Sequence, residues 1–235
     1  MAGVTYSLIF QNQSTNQGSG CVYQEDPNLA LPNVLSLAWF SKVAAPNTNI
    51  TFQWTIDYSF VWAETGLLIP GVMFMAGQTV PADLSTTNSI TLSYIGSAYQ
   101  FANQTAGANA GSLYIREDNT VPLKMASVGI GMSGSGTFAV QAQPNYNLIF
   151  TPHPKYYITF GNFAKGQVMD TTSVTNKAEI AFPPGVTSMT AILGADNSWK
   201  VSPTSAVNAR YVSARQGGQV EQTARKSEKA LWGAD

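Results

Sequence analysis

Among the 235 residues of this chain stand one histidine and one cysteine, so acid–base or nucleophilic chemistry would run through them or through a few carboxylates. His153 lies in Thr151-Pro152-His153-Pro154. Prolines on both sides remove hydrogen-bond donors and fix an extended segment suited to ending a sheet, which favours a structural use. A base at His153 could serve Ser133 or Cys21, yet the sequence supplies neither proximity nor an orienting carboxylate. Zinc is disfavoured further, because one imidazole and one thiol leave the remaining ligands to carboxylates.

Asp57 and Glu64 are the carboxylates nearest a strong strand pattern. A glycosidase needs two acids facing each other across a bond. Along one extended strand these two would lie about 23 Å apart at ~3.3 Å per residue, so they do not form that pair with each other. Arg116-Glu117-Asp118-Asn119 reads as a charged turn, with calcium a minor alternative because spaced oxygen ligands are missing. Gly129-Ile130-Gly131-Met132-Ser133-Gly134 matches G-x-G-x-x-G, but Thr137 to Val140 reads as a strand where a dinucleotide site needs a helix. A glycine-rich bend or hairpin is expected there. The matches to Asn-x-Ser/Thr at Asn12, Asn49 and Asn103 are expected by chance in so Asn- and Thr-rich a chain. The expectation is therefore no catalytic residue, no cofactor and no metal.

The elements that would position these groups are strands. From Thr51 to Ala63 every second residue is large and apolar: Phe52, Trp54, Ile56, Tyr58, Phe60 and Trp62. Side chains of a strand alternate between faces, so this period predicts one strand with an aromatic side and a wet side. Its rings alone would present roughly 750–1,250 Å², more than a soluble monomer exposes as one patch, so a second layer must cover them. Shorter alternations recur at Val4 to Phe10, Ile90 to Tyr94, Leu113 to Ile115, Phe138 to Val140, Tyr156 to Phe160 and Ile180 to Phe182, between clusters of Gly, Asn, Pro and Ser. The fold class expected is all-β, an antiparallel β-sandwich of roughly ten to twelve short strands. Leu35 to Phe40, Leu67 to Met75 and Ser188 to Leu193 are continuously apolar, as in strands buried on both sides or a short capping helix.

Hydrophobic residues make up 44% of the chain, enough for one substantial core, and residues 1–209 are expected to form one domain. Residues 210–235 read as a charged tail, Arg210, Arg215, Arg225, Lys226 and Lys229 standing against Glu221, Glu228 and Asp235. Val220, Ala224, Leu231 and Trp232 fall near one face of a C-terminal helix, with Glu221 four residues before Arg225. Leu231 and Trp232 are the candidate interaction residues, an anchor for a neighbouring subunit; the alternative is a frayed, solvated tail.

Charged residues are only 11% of the chain and the net charge is −1. That composition argues against a nucleic-acid partner and suits self-association or neutral ligands such as sugars. Trp39, Tyr99, Tyr157 and Trp199 do not all fall on obvious core positions and could stack on sugars, although burial is the usual fate of such rings. No stretch approaches the ~20 apolar residues of a transmembrane helix. The N-terminus lacks a basic and apolar leader, which together with the lone cysteine predicts a cytoplasmic protein, an unconventional export route staying open.

Four segments in order, Leu35 to Phe40, Phe52 to Trp62, Ser127 to Gly134 and Phe150 to Tyr157, resemble the RhiA-like family of bacterial rhizosphere-expressed proteins. The resemblance runs from about Tyr6 to Val201. It implies an abundant, quorum-sensing-associated bacterial protein and supplies no catalytic residue. The function expected is non-enzymatic, by self-assembly as a homo-oligomer or by partner binding. A glycan-binding, lectin-like module is the alternative, and a membrane-active β protein comes third.

Overall fold

The aromatic run from Thr51 to Ala63 is two strands rather than one. Residues 4–25, 31–210 and 212–213 are described by the structure, a computed structural model. The chain forms β1 (Thr5–Asn12), β2 (Gly18–Glu25), β3 (Leu35–Ser36), β4 (Ala38–Ala44), β5 (Thr48–Thr55), β6 (Tyr58–Ala63), β7 (Gln78–Ala82), β8 (Ser89–Ile95) and β9 (Ala98–Thr105). It continues through β10 (Leu113–Glu117), β11 (Ser127–Met132), β12 (Ser135–Gln141), β13 (Tyr146–Phe150), β14 (Lys155–Gly161), β15 (Lys177–Glu179), β16 (Ser188–Leu193) and β17 (Trp199–Pro203). A helix, α1, starts at residue 204.

These strands make four sheets, ordered β17-β16-β1-β5, β15-β14-β2-β4, β3-β12-β11-β6-β7 and β13-β10-β8-β9. The first two enclose a core of Leu8, Phe10, Val22, Trp39, Phe52, Trp54 and Ile158. The other two enclose Phe60, Trp62, Leu92, Leu113, Ile115, Phe138, Leu148 and Phe150. The all-β, sandwich-like class expected from alternation is therefore the one observed. The strands outnumber the ten to twelve expected, because β3 and β15 are too short to show alternation and the long aromatic run is divided. Two pairings, β1 with β16 and β8 with β10, are parallel within the otherwise antiparallel sheets.

The division falls at Ile56 and Asp57. Phe52 and Trp54 enter one core, whereas Phe60 and Trp62 enter the other. Ile56, which one continuous strand would bury, is 52% exposed. The corner is tied by Thr55 Oγ1 donating to Asp57 Oδ1, and by Ser133 N donating to the Asp57 carbonyl at 3.0 Å. Ser133 and Gly134 both have positive φ, as a two-residue hairpin turn between β11 and β12 requires. Beyond the corner β6 is buried on both faces, Val61 and Ala63 facing a third cluster with Leu37, Leu68, Phe74 and Val168.

Large rings dominate the first core. Trp54 lies edge-on to Trp39 at 5.4 Å between centroids and to Phe182 at 5.7 Å. Burying one such side chain is worth about 1.5–3 kcal/mol, with roughly 0.5–1.5 kcal/mol more for a well-placed ring pair. Trp39 also donates its indole N–H to the Met132 carbonyl at 2.8 Å. Met132 ends β11 yet packs in the first core, so the β11–β12 turn joins the two sheet pairs.

Helix α1 begins before residue 210, inside the segment expected to be sheet, and Val207 on it is buried. The Thr204 hydroxyl joins it to β16 through Ser188 and Thr190. Leu231 and Trp232, with the rest of the tail from 214 onward, lie outside the described residues.

Candidate functional site

The residue types that could carry chemistry are placed in separate surroundings. Cys21 is buried on β2 beside Tyr23, Ala38 and Met169, and burial pushes its thiol up to about 12. Ser133 sits in the β11–β12 turn, its Oγ accepting from Thr55 N. His153 is exposed on the link from β13 to β14, its Nδ1 3.2 Å from the Thr151 carbonyl. Asp57 lies at the corner before β6 and Glu64 just after it, so the strand holds them apart. Among the described residues no group of three His, Cys, Asp or Glu side chains is placed to hold a metal ion. The glycines of Gly129 to Gly134 belong to β11 and its hairpin turn, and a strand, β12, follows them. Asn12 is fully buried, donating to the Asn16 and Ala44 carbonyls and accepting from Ser14, so its sequon is no acceptor for a glycan in the folded chain.

Of the four rings set apart as sugar-stacking candidates, Trp39 is fully buried and Tyr99 packs between Trp62 and Tyr94. Tyr157 is half-buried, stacked on Tyr23 at 5.7 Å with the Lys177 ammonium 4.9 Å from its centroid. Trp199 is half-buried against Phe10 and donates its indole N–H to Asn176 Oδ1. Core or edge packing accounts for all four.

Glu117 corrects the reading of Arg116 to Asn119 as a turn. It closes β10 on the same face as Leu113 and Ile115, and is 1% exposed. One carboxyl oxygen accepts from Gln143 N at 3.3 Å, and the other has no partner. Burial pushes this carboxyl up to about 8, partly offset by the Gln143 hydrogen bond. The turn itself starts at Asp118, whose carboxylate accepts from Ser93, Thr120 N and the Thr120 hydroxyl. Alternation was the available signal for Glu117: two apolar residues at a spacing of two, then a glutamate in register.

The most distinctive surface lies where two loops meet. Leu67 to Met75, read from sequence as buried strand or capping helix, lies in the irregular connection between β6 and β7. Pro70 and Gly71, the latter at φ +92°, break the segment, and its backbone bonds instead to Val168 and Gly166. Leu68 and Phe74 plug the third cluster. Leu67, Ile69, Met73 and Met75 are left outward, Leu67 at 59% and Met75 at 76% exposure. The 118–126 connection abuts this loop: a Cβ on Gly66 would lie 2.6 Å from the Lys124 carbonyl and 3.5 Å from Met125 Cα. Leu123 and Met125 on it are as exposed as Leu67. Ser127 Oγ donates to the Thr65 carbonyl and Gln141 Nε2 to that of Gly66, fixing the loop to β11 and β12. An apolar grouping of this kind, rich in methionine and held by rigid sheet, suits adaptable contacts with another surface.

The class so defined is a mostly-β protein whose acids, histidine and cysteine, among the described residues, are dispersed and whose outward loops carry aliphatic and thioether groups. The RhiA family model matches residues 3–204, and the chain belongs to that family. It is 39% identical over 205 residues to Protein RhiA of Rhizobium leguminosarum bv. viciae, covering 86% of this chain and 87% of that protein. No solved structure matches the chain.

Proposed function

We propose that this protein is not an enzyme and acts by association, copies of the chain meeting through the Leu67–Met75 and 118–126 loops. The observation that supports this is the six outward apolar residues Leu67, Ile69, Met73, Met75, Leu123 and Met125 on two loops that touch. Exposed groups of this kind gain about 25 cal/mol for each Å² removed from water, and little surface charge opposes the approach. The abundance and quorum-sensing setting that the family resemblance implies would favour such mass action. Cytoplasmic synthesis belongs to the same reading.

Light scattering across a concentration series tests it. The wild-type chain is expected to gain mass with concentration, and the double variant Leu67→Asp, Met125→Lys to remain monomeric with an unchanged melting temperature. Deleting residues 217–235 separates the contribution of Leu231 and Trp232 from that of the loops. A wild-type chain that stays monomeric at every attainable concentration removes the proposal.

A further inference from the structure

At the end of the first sheet pair lies a cavity of about 650 Å³. It is bounded where β1 hands over to β2, where β14 ends, and at the turn between β16 and β17. Loops gathered at one end of a rigid sandwich are common carriers of binding sites, and the volume falls within the range of small-ligand pockets.

Among the described residues its lining contains no charged side chain. Asn16, Gln17, Ser19, Asn162 and Asn197 present amides and a hydroxyl, and Phe160 supplies a ring. The side-chain polar atoms of these five residues bond to no other described residue, although the same loops are full of paired polar groups. Each carboxamide offers two donor hydrogens and an acceptor oxygen. A sugar hydroxyl donates and accepts at once, so adjacent hydroxyls on a ring match a carboxamide, while an apolar sugar face suits an aromatic ring. Among the described lining residues an anionic ligand would find no cation, and a cationic one no carboxylate.

The polar groups are also held in place. Buried Asn12 donates to the Asn16 carbonyl at 2.8 Å and to that of Ala44 at 3.1 Å, fixing the loop before β2. Gln13 N donates to the Leu193 carbonyl at 2.9 Å. Asn176 Nδ2 donates to the Asn197 carbonyl at 3.2 Å while its Oδ1 accepts from the Trp199 indole, which sets the far wall. Gly18 packs close to the edge of Phe160, which has no room for a side chain there: a Cβ would lie 2.9 Å from Phe160 Cζ. A rim fixed in advance lowers the ordering cost of binding.

We propose that this cavity is a binding site for a neutral carbohydrate, a short uncharged oligosaccharide seated on Phe160 and hydrogen-bonded by Asn16, Gln17, Ser19, Asn162 and Asn197. It is independent of self-association, since none of these residues belongs to the apolar loops.

A glycan array carrying neutral and anionic saccharides, read with the full chain, identifies binders, and titration calorimetry with maltotriose, mannotriose and a galactose trisaccharide measures affinity. The expected result is binding to at least one neutral saccharide, weakened about tenfold by Asn162→Ala and by Asn197→Gly and unchanged by Leu67→Asp. Both asparagines are exposed, and glycine accepts the left-handed backbone of Asn197 (φ 59°), so melting temperature should hold in each variant and serves as the folding control. No neutral binder, binding restricted to anionic saccharides, or neutral binding indifferent to both asparagine variants overturns the assignment.

Discussion

Gly129 pairs with Ala139 in the β11–β12 ladder, and the backbone just before that partner runs so close that a Cβ on the glycine would lie 1.9 Å from the Phe138 carbonyl oxygen. The obstruction is backbone on a strand paired on both sides, so no side-chain motion relieves it. Gly129→Ala should cost about 3 kcal/mol or more, read as a lowered urea midpoint. Gly96→Ala is the comparison: Gly96 has φ +60° with nothing within 4 Å, and only left-handed backbone strain of about 1 kcal/mol is expected. Equal losses in the two variants would contradict the close approach.

Glu117 should make the chain less stable as the solution becomes alkaline. Between its ordinary value of 4.5 and about 8, the folded chain keeps a proton that the unfolded chain has released. The stabilisation is therefore complete below the lower value and is lost as pH rises through the upper one. Glu117→Gln should match wild type near pH 5 and exceed it above pH 8 by on the order of 1–3 kcal/mol, measured by denaturant unfolding at each pH. Parallel curves for the two proteins would show that Glu117 does not hold its proton on folding.

Methionine oxidation should distinguish outer from inner sulfur. Met73, Met75 and Met125 are exposed, whereas Met132, Met169 and Met189 are buried. Under mild peroxide, peptide mass mapping should find sulfoxide on the first three before the others. Raising protein concentration should slow oxidation at Met75 and Met125 if copies meet through these loops. Oxidation rates independent of concentration would weigh against that contact.

Cys21 should resist alkylation in the native chain. With its thiol buried and pushed up to about 12, almost no thiolate exists near neutrality and no reagent reaches it. Iodoacetamide should modify it only as urea unfolds the chain, the reaction following the unfolding transition. Prompt labelling in buffer would mean that β2 opens locally.

The local alternation of Leu8 with Phe10, or of Leu113 with Ile115, was legible because a two-residue period reports strand and face together. The break at Ile56 and Asp57 was hidden for the same reason: the rings before and after it keep the period while entering different cores. Leu67 to Met75 misled because hydropathy does not distinguish Leu68 and Phe74, which enter the interior, from Leu67 and Met75, which do not. The amide-lined cavity drew no signal at all, since Asn16, Asn162 and Asn197 are far apart in sequence and ordinary as turn residues. Nor does a local pattern carry pairing partners, so the parallel alignment of β1 with β16 had nothing to announce it.

That alignment ties Ser7 to Ser188, 181 residues later. At about 5–20 residues per second, a ribosome needs roughly 10–35 s to deliver the partner strand after the first has emerged. β5 can dock on one side of β1 early, but the opposite edge stays vacant throughout that delay, a template for whichever strand arrives first. Neighbouring ribosomes on one message hold chains in this same half-finished condition, so translation speed and crowding on the messenger bear on whether the N-terminal strand closes onto its own chain.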